Sequence, residues 1–216
     1  MKTVKDQLLV WTQLLTFVAI WAVILLSTRG NLTIDLASLK KLPDVVTVYA
    51  ILAWLFTKWL WKLRIFRGWL VEAPNLHGTW IGEIKSTWVD PKTSETPTPI
   101  KVTAVIKQDY YSVSCCIYSS EMESKSTNAQ ITREAESGVL SLSYVYTSRP
   151  KIGVRNRSPI HDGAAMLRFS DTEQYALAGE YWTNRKTTGE VALKNVSSRL
   201  VHGFEEGCSL ETGENR

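Results

Sequence analysis

Residues 8–27 read LLVWTQLLTFVAIWAVILLS, twenty positions in a row without a formal charge. Coiled as a helix at 1.5 Å per residue, they span about 30 Å, the thickness of a bilayer's hydrocarbon core. A second run, residues 45–66 (VVTVYAILAWLFTKWLWKLRIF), stays uncharged for its first thirteen residues. It then brings Lys58, Lys62 and Arg64 in among Trp54, Trp59 and Trp61. Indoles settle at headgroup depth and lysines reach past them to water, so this composition marks a membrane interface. Pro43 stands just before the second run and keeps a helix from running straight into it out of the loop. The spacing predicts two transmembrane helices, at about 8–27 and 45–66. A cleaved leader is the alternative for the first. Its apolar stretch is too long for that, it carries Trp11 and Trp21, and no A-x-A site follows.

The flanking cations set the expected orientation. Lys2 and Lys5 precede the first span, while Lys58, Lys62, Arg64 and Arg67 crowd the end of the second. Both termini are therefore expected in the cytoplasm, with residues 28–44 as a short external loop. The chain-wide charge of +4 hides this polarity. Residues 1–72 hold nine Lys and Arg against four Asp and Glu, and residues 73–216 hold sixteen against seventeen. Six of the nine Trp also fall in the first third. A single soluble globule and a disordered chain are both excluded. A C-terminal domain with no cationic surplus also argues against polymeric nucleic acid as a partner.

Beyond Pro74 the apolar period changes to two. Leu76, Gly78, Trp80, Gly82 and Ile84 share one parity, and Thr79, Glu83 and Lys85 the other. The alternation returns in Val102/Ala104/Ile106, Tyr111/Val113/Cys115/Ile117, Leu140/Leu142/Tyr144/Tyr146, Ala165/Leu167/Phe169, Leu177/Gly179/Tyr181 and Val191/Leu193. Such alternation belongs to strands with one buried face. With a weaker strand around Ala129–Arg133 it predicts eight, at about 76–89, 100–108, 110–119, 126–134, 138–148, 163–170, 174–183 and 188–196. The connections are short, the longest being 90–99 and 149–162, so neighbouring strands pair as antiparallel hairpins. An up-and-down run of eight hides its edges by closing, and a barrel of that size has room for side chains or one ligand. A two-sheet sandwich is the alternative. The fold class is thus a membrane-anchored all-β protein: a two-helix transmembrane region (1–70), a small eight-stranded antiparallel β-barrel (71–200), and a flexible acidic tail (201–216).

The residues offer no catalytic constellation. There is no G-x-S-x-G, P-loop or H-E-x-x-H, and His77, His161 and His202 lack partners at metal-ligand spacing. Cys115 and Cys116 point to opposite faces of one strand and cannot chelate together. With Cys208 they make an odd number, which suits a reducing compartment and frames no disulfide. The expectation is a non-enzyme with no metal and no cofactor. The informative stretch is residues 177–189, LAGEYWTNRKTTG. If Leu177, Gly179 and Tyr181 face inward, Thr183 and Arg185 follow on the same parity at the strand's end. A barrel mouth would then present a ring, a hydroxyl and a guanidinium, groups suited to a base, a ribose or base edge, and a phosphate. Tyr144 and Tyr146, inward on another strand, add stacking surface. The candidate ligand-binding residues are Tyr144, Tyr146, Tyr181, Thr183 and Arg185; the alternative leaves the aromatics in the core and the rest in a polar turn. Trp80, within a Gly-x-Trp pattern like that of lipocalins and avidins, is expected to plug the barrel floor. Arg133 and Arg168 are expected to be outward, solvated charges.

The two spans, the Lys58-Trp-Leu-Trp-Lys62-Leu-Arg64 exit, Leu76-His-Gly-Thr-Trp-Ile-Gly82 and Leu177-Ala-Gly-Glu-Tyr-Trp-Thr-Asn-Arg185 come in an order that covers nearly all of residues 1–200. In that order the chain resembles the bacterial CBASS antiphage effectors of the branch with two transmembrane helices and a β-strand-rich domain. The resemblance implies a receptor for a cyclic dinucleotide made by a CD-NTase enzyme during phage infection. It further implies a multi-pass protein of the bacterial inner membrane, with the barrel in the cytoplasm. Ligand binding would drive homo-oligomerisation, disrupt the membrane and kill the infected cell. Two rivals come from other classes. A membrane-anchored, lipocalin-like carrier would have a greasier cavity and no need of Arg185, and a membrane scaffold would have no ligand.

Overall fold

In a computed structural model, the chain is described apart from residues 1–3, 30, 31, 33–35, 91, 92, 135, 171–175 and 213–216; only backbone is described for 4–9, 29, 36 and 37. Lys2, the first residues of the strand expected from 174, and the last four of the tail lie outside the described residues. Two compact units emerge, Met1–Glu72 and Ala73–Arg216.

The first unit holds helix α1 (Val4–Arg29), a single turn α2 (Leu36–Leu39) and helix α3 (Leu42–Lys58). Within α1, Val10–Thr28 is long and apolar enough to cross a membrane, and almost none of it is buried. Among the described residues it is the one helix that reaches that length. The second apolar segment departs from expectation. Its helix covers 17 residues and stops at Lys58, followed by two 3₁₀ turns, Leu60–Lys62 and Arg64–Phe66. Aromatic side chains fold the chain back at this point: Trp59 meets Trp54 edge-on at 5.3 Å, and Phe66 meets Phe56 at 5.2 Å. At 1.5 Å per residue α3 is about 25 Å long rather than the roughly 30 Å a continuous helix over 45–66 would exceed. Pro43 sits inside the first turn of α3, where its missing N–H costs no helical bond. Phe17 of α1 packs edge-on against Tyr49 of α3 at 5.9 Å.

The second unit is a closed barrel of eight antiparallel strands in sequence order. They are β1 (Gly78–Ser86), β2 (Ile100–Gln108), β3 (Val113–Tyr118), β4 (Met122–Arg133), β5 (Leu140–Pro150), β6 (His161–Ser170), β7 (Ala176–Thr183) and β8 (Thr188–Ser197). Strand β8 returns to β1, with Ile84 opposite Val191 and Gly82 opposite Leu193, so the sheet closes and no sandwich forms. The poorest forecast is β4, expected at 126–134 and found from Met122 onward. Its first half, MESKSTN, lacks apolar alternation, and its register shifts between Ser126 and Asn128.

Inward parity fills the lower barrel. Trp80, Val102, Ala104, Ile106, Leu142, Leu167, Leu177 and Leu193 are fully buried there, each large apolar side chain contributing about 1.5–3 kcal/mol. Trp80 closes the floor, its Nε1–H donating to the Leu76 carbonyl at 2.9 Å. Gln108 straps the entering chain across that floor. Its Oε1 accepts from the Leu76 N–H at 2.6 Å, and its Nε2 donates to the Pro74 carbonyl at 2.9 Å. Arg133 and Arg168 are exposed, as their parity requires.

The C-terminal segment is not a frayed tail. Residues Phe204–Thr212 form helix α4, laid on the outer face of β1, β2 and β8. Thr79, Ile81, Thr103 and Val105, all on the outward parity, are consequently buried. Thr79 Oγ1 donates to the Arg199 carbonyl at 2.6 Å, Thr103 Oγ1 donates to that of Phe204 at 3.3 Å, and Lys101 pairs with Glu211 at 2.6 Å. Val201 is buried ahead of the helix. An apolar patch on the supposedly solvated face made the cover necessary, and four acids in the tail obscured it.

Candidate functional site

Above the packed floor the barrel opens into a cavity of about 450 Å³, at the end where β1, β3, β5 and β7 finish. That volume lies within the roughly 300–1,000 Å³ of small-molecule sites. The five residues singled out by parity all line it: Tyr144, Tyr146, Tyr181, Thr183 and Arg185.

Pairing across three strands brings them together. Tyr144 stands opposite Ala165, which stands opposite Tyr181; Tyr146 stands opposite Gly163, which stands opposite Thr183. Small residues on the middle strand leave the space above β6 to rings from its neighbours. A Cβ on Gly163 would lie 2.5 Å from Cζ and Oη of Tyr146, and one on Gly189 would lie 2.6 Å from Cε1 of Tyr181. The Tyr144 and Tyr146 rings are 5.8 Å apart and tilted by 46°. Burial raises both phenols well above the usual tyrosine range. The neighbouring Cys115 thiol and then Tyr146 add to the effect on Tyr144, and Tyr181 adds to the effect on Tyr146. Both rings are thus neutral at any physiological pH, presenting stacking faces and hydroxyls but no charge.

The β7–β8 turn shapes the cationic corner. The Thr183 N–H donates to the Thr187 carbonyl at 2.9 Å, and the two hydroxyls lie 2.6 Å apart. Lys186 takes a left-handed φ of 60°. Asn184 N–H donates to the Asp162 carbonyl at 3.0 Å, tying the turn to the start of β6. Arg185, half-buried, then reaches the β5–β6 loop, where its Nη1 donates to Ser158 Oγ at 3.0 Å. His161 Nδ1 is 3.4 Å from the same Nη1 and 2.9 Å from the Pro159 carbonyl. A carbonyl only accepts, so the shorter contact places the proton on Nδ1 and leaves Ser158 as the partner of Arg185.

The rest of the upper wall is rich in hydroxyls. Ser124 and Ser148 lie 2.5 Å apart through their Oγ atoms, and Ser86, Ser119 and Ser120 complete the rim with Trp88, Pro97 and Thr98. Arg157 also lines the cavity, ion-paired with Glu121 of the β3–β4 turn. Ser148 and His161 extend the inward parity of Tyr146 and Gly163 by one step, so the alternation carried a signal for them. Arg157, Ser158 and Trp88 lie on loops, where no period places a side chain. Cys115 faces inward and is buried, and Cys116 lies on the opposite face; all three cysteines are free thiols.

A family model described as "Cap15, cyclic dinucleotide receptor domain" matches residues 71–195, the strands that build this cavity. The chain belongs to the Cap15 family. It is also similar to a CD-NTase-associated protein 15 of Escherichia albertii, 30% identical over 152 residues, which cover 68% of this chain and 73% of the relative. A CD-NTase-associated protein 15 of Staphylococcus schleiferi is 27% identical over 151 residues, covering 70% and 76%. Membership makes the chain a CBASS effector, as the resemblance implied. The Cap15 domain is the closed barrel together with its cavity; α4 follows the matched segment.

Proposed function

We propose that the barrel of this Cap15 effector binds a cyclic dinucleotide in the cavity and that binding assembles the N-terminal helices into a membrane-disrupting state. One observation carries the ligand reading: three aromatic rings, a hydroxyl-rich wall and a guanidinium converge on a single cavity of suitable size. Rings from Tyr144, Tyr146 and Tyr181 supply base-stacking surface, and Arg185 at the rim supplies a charge-assisted donor for phosphate. Serine and threonine around the mouth suit ribose and base edges. The guanidinium and the hydroxyls at the mouth speak against a carrier of fatty ligands, and the built cavity speaks against a bare scaffold.

For the membrane part, α1 is one span and α3 the second, at the lower end of the length range for such helices. The chain then crosses twice in the bacterial inner membrane, with both termini and the barrel in the cytoplasm, where a soluble messenger made by a CD-NTase is accessible. Along α1, Trp11, Leu14, Leu15, Val18, Val23 and Leu26 are exposed, a surface that demands lipid or another helix. One two-helix protomer cannot enclose a pore, so assembly into a homo-oligomer supplies the missing walls. Ligand drives assembly only by binding the assembled state more tightly than the dispersed one.

The test combines binding with membrane integrity. Full-length chain in detergent should gain thermal stability with one or a few members of a cyclic dinucleotide panel. Cells making the chain and a cognate CD-NTase should take up a membrane-impermeant dye, and cells making residues 71–216 alone should exclude it. No thermal shift across the panel refutes the ligand reading. Dye exclusion by cells in which the full-length chain is demonstrably liganded refutes the membrane reading.

A further inference from the structure

The charged side chains lining the cavity, among the described residues, are Arg185, Arg157 and Glu121. Arg185 carries no acidic partner there; its contacts are Ser158 and His161. Arg157 on the β5–β6 loop donates through Nη2 to Glu121 Oε1 on the β3–β4 turn, so one cation of the cavity is neutralised from within. The backbone holds these two loops together independently of that pair, because Lys151 N–H donates to the Glu121 carbonyl at 2.8 Å. Arg157 is further set by its own turn, with Arg157 N–H donating to the Val154 carbonyl at 3.1 Å and Ser158 N–H to the same oxygen at 2.9 Å. Arg157 and Glu121 are each substantially exposed, 66% and 45%, and exposed ion pairs of this kind contribute little to stability.

A cyclic dinucleotide carries two phosphodiesters, each a full negative charge. One uncompensated guanidinium matches only one of them. We propose that Arg157 is the second phosphate-binding cation of the cavity and that Glu121 holds it as an internal substitute for that phosphate. The assignment rests on the cyclic dinucleotide reading above. Ligand entry exchanges one anionic partner of Arg157 for another: the carboxylate turns out to solvent and the phosphate takes its place. The exchange preserves a paired guanidinium throughout, and its fork suits phosphate better than a single carboxylate oxygen. Glu121 thereby acts as a selectivity element. A ligand with only one phosphate placed at Arg185 leaves the Arg157–Glu121 pair intact and gains nothing from it.

Affinity of the full-length chain for the tightest-binding member of a 3′,3′-cyclic dinucleotide panel tests this, measured on Glu121→Gln, Arg157→Ala and the double variant. Glu121→Gln should bind about two- to fivefold more tightly, the scale of an exposed ion pair that no longer competes. Arg157→Ala should bind roughly ten- to a hundredfold more weakly, as expected for loss of a charge-assisted bond. In the double variant the gain from Glu121→Gln should vanish. If Glu121→Gln weakens binding, the pair is a structural strap and the assignment is overturned. If the gain persists undiminished without Arg157, Glu121 acts by simple repulsion, and the assignment again fails. Unchanged thermal midpoints for the unliganded variants keep a folding defect from mimicking either result. A wild-type chain that binds no member of the panel overturns the site reading itself, and this assignment with it.

Discussion

Tyr146 lies across Gly163, so close that a single added methyl would stand 2.5 Å from its phenol oxygen. The glycine is what allows the ring to lie over β6 and form the wall of the cavity. Gly163→Ala should therefore displace Tyr146, destabilise the barrel by about 1–3 kcal/mol and weaken ligand binding. Denaturant unfolding and a binding isotherm on the same preparation check both effects. Unchanged affinity would show that the Tyr146 ring does not contact the ligand.

Arg185 is half-buried at the cavity rim and its side chain meets Ser158 of the β5–β6 loop and His161 at the first position of β6, so its removal should leave the fold intact. Arg185→Ala is expected to weaken cyclic dinucleotide binding roughly ten- to a hundredfold, from loss of a bond worth about 1.5–3 kcal/mol. Arg185→Lys should recover only part of that, because an ammonium lacks the planar fork. Titration calorimetry of the three proteins distinguishes these outcomes.

Trp80 stands at the other end of the barrel, fully buried, with its N–H satisfied by Leu76. Trp80→Ala should cost about 3–5 kcal/mol of stability, as loss of a large buried ring does. Any surviving folded fraction should retain its affinity, because the cavity lies above the floor. A Trp80→Ala barrel of wild-type stability would show that the floor is closed by something else.

Alkaline pH should unfold the barrel in a predictable window. Burial, with help from Cys116, pushes the Cys115 thiol from 9.0 up to about 12. The folded state therefore holds this proton more tightly than the unfolded chain does. The associated stability is complete below pH 9, declines above it and is lost as pH passes through about 12. The buried phenols of Tyr144 and Tyr146 act in the same direction. The unfolding temperature should fall from about pH 9 upward, and less steeply in Cys115→Val. A flat profile to pH 11 would contradict this account.

Helix α4 covers Thr79, Ile81, Thr103 and Val105. Ending the chain after Leu200 should expose them, lower the unfolding temperature and reveal new apolar surface to a reporter dye. If the shortened chain is as stable as the full one, the helix is an accessory rather than part of the barrel's packing.

Side-chain period is a local property, and what followed from it was legible in the chain before any fold. Eight strands, the inward parity of Trp80, Tyr144, Tyr146 and Tyr181, and the apolar α1 could all be read from neighbouring residues, because a pleat alternates every residue and a span needs only length and apolarity. Of strand β4 only the second half was legible, through Ala129 and Ile131, because residues 123–128 are polar on both faces and leave no period to read. The register that stacks Tyr146, Gly163 and Thr183 belongs to the closed sheet, and so does the meeting of Arg157 with Glu121 and of Ser158 with Arg185. Those residues lie 36 and 27 positions apart on loops whose approach depends on every strand between them. Tertiary structure also decided the two ends. Ring contacts from Trp59 and Phe66 ended α3 early, and an outward apolar patch at Ile81 and Val105 drew an acidic segment down as α4. At α4, burial of that patch rather than local propensity chose the conformation; at α3, contacts between rings five and ten residues apart did.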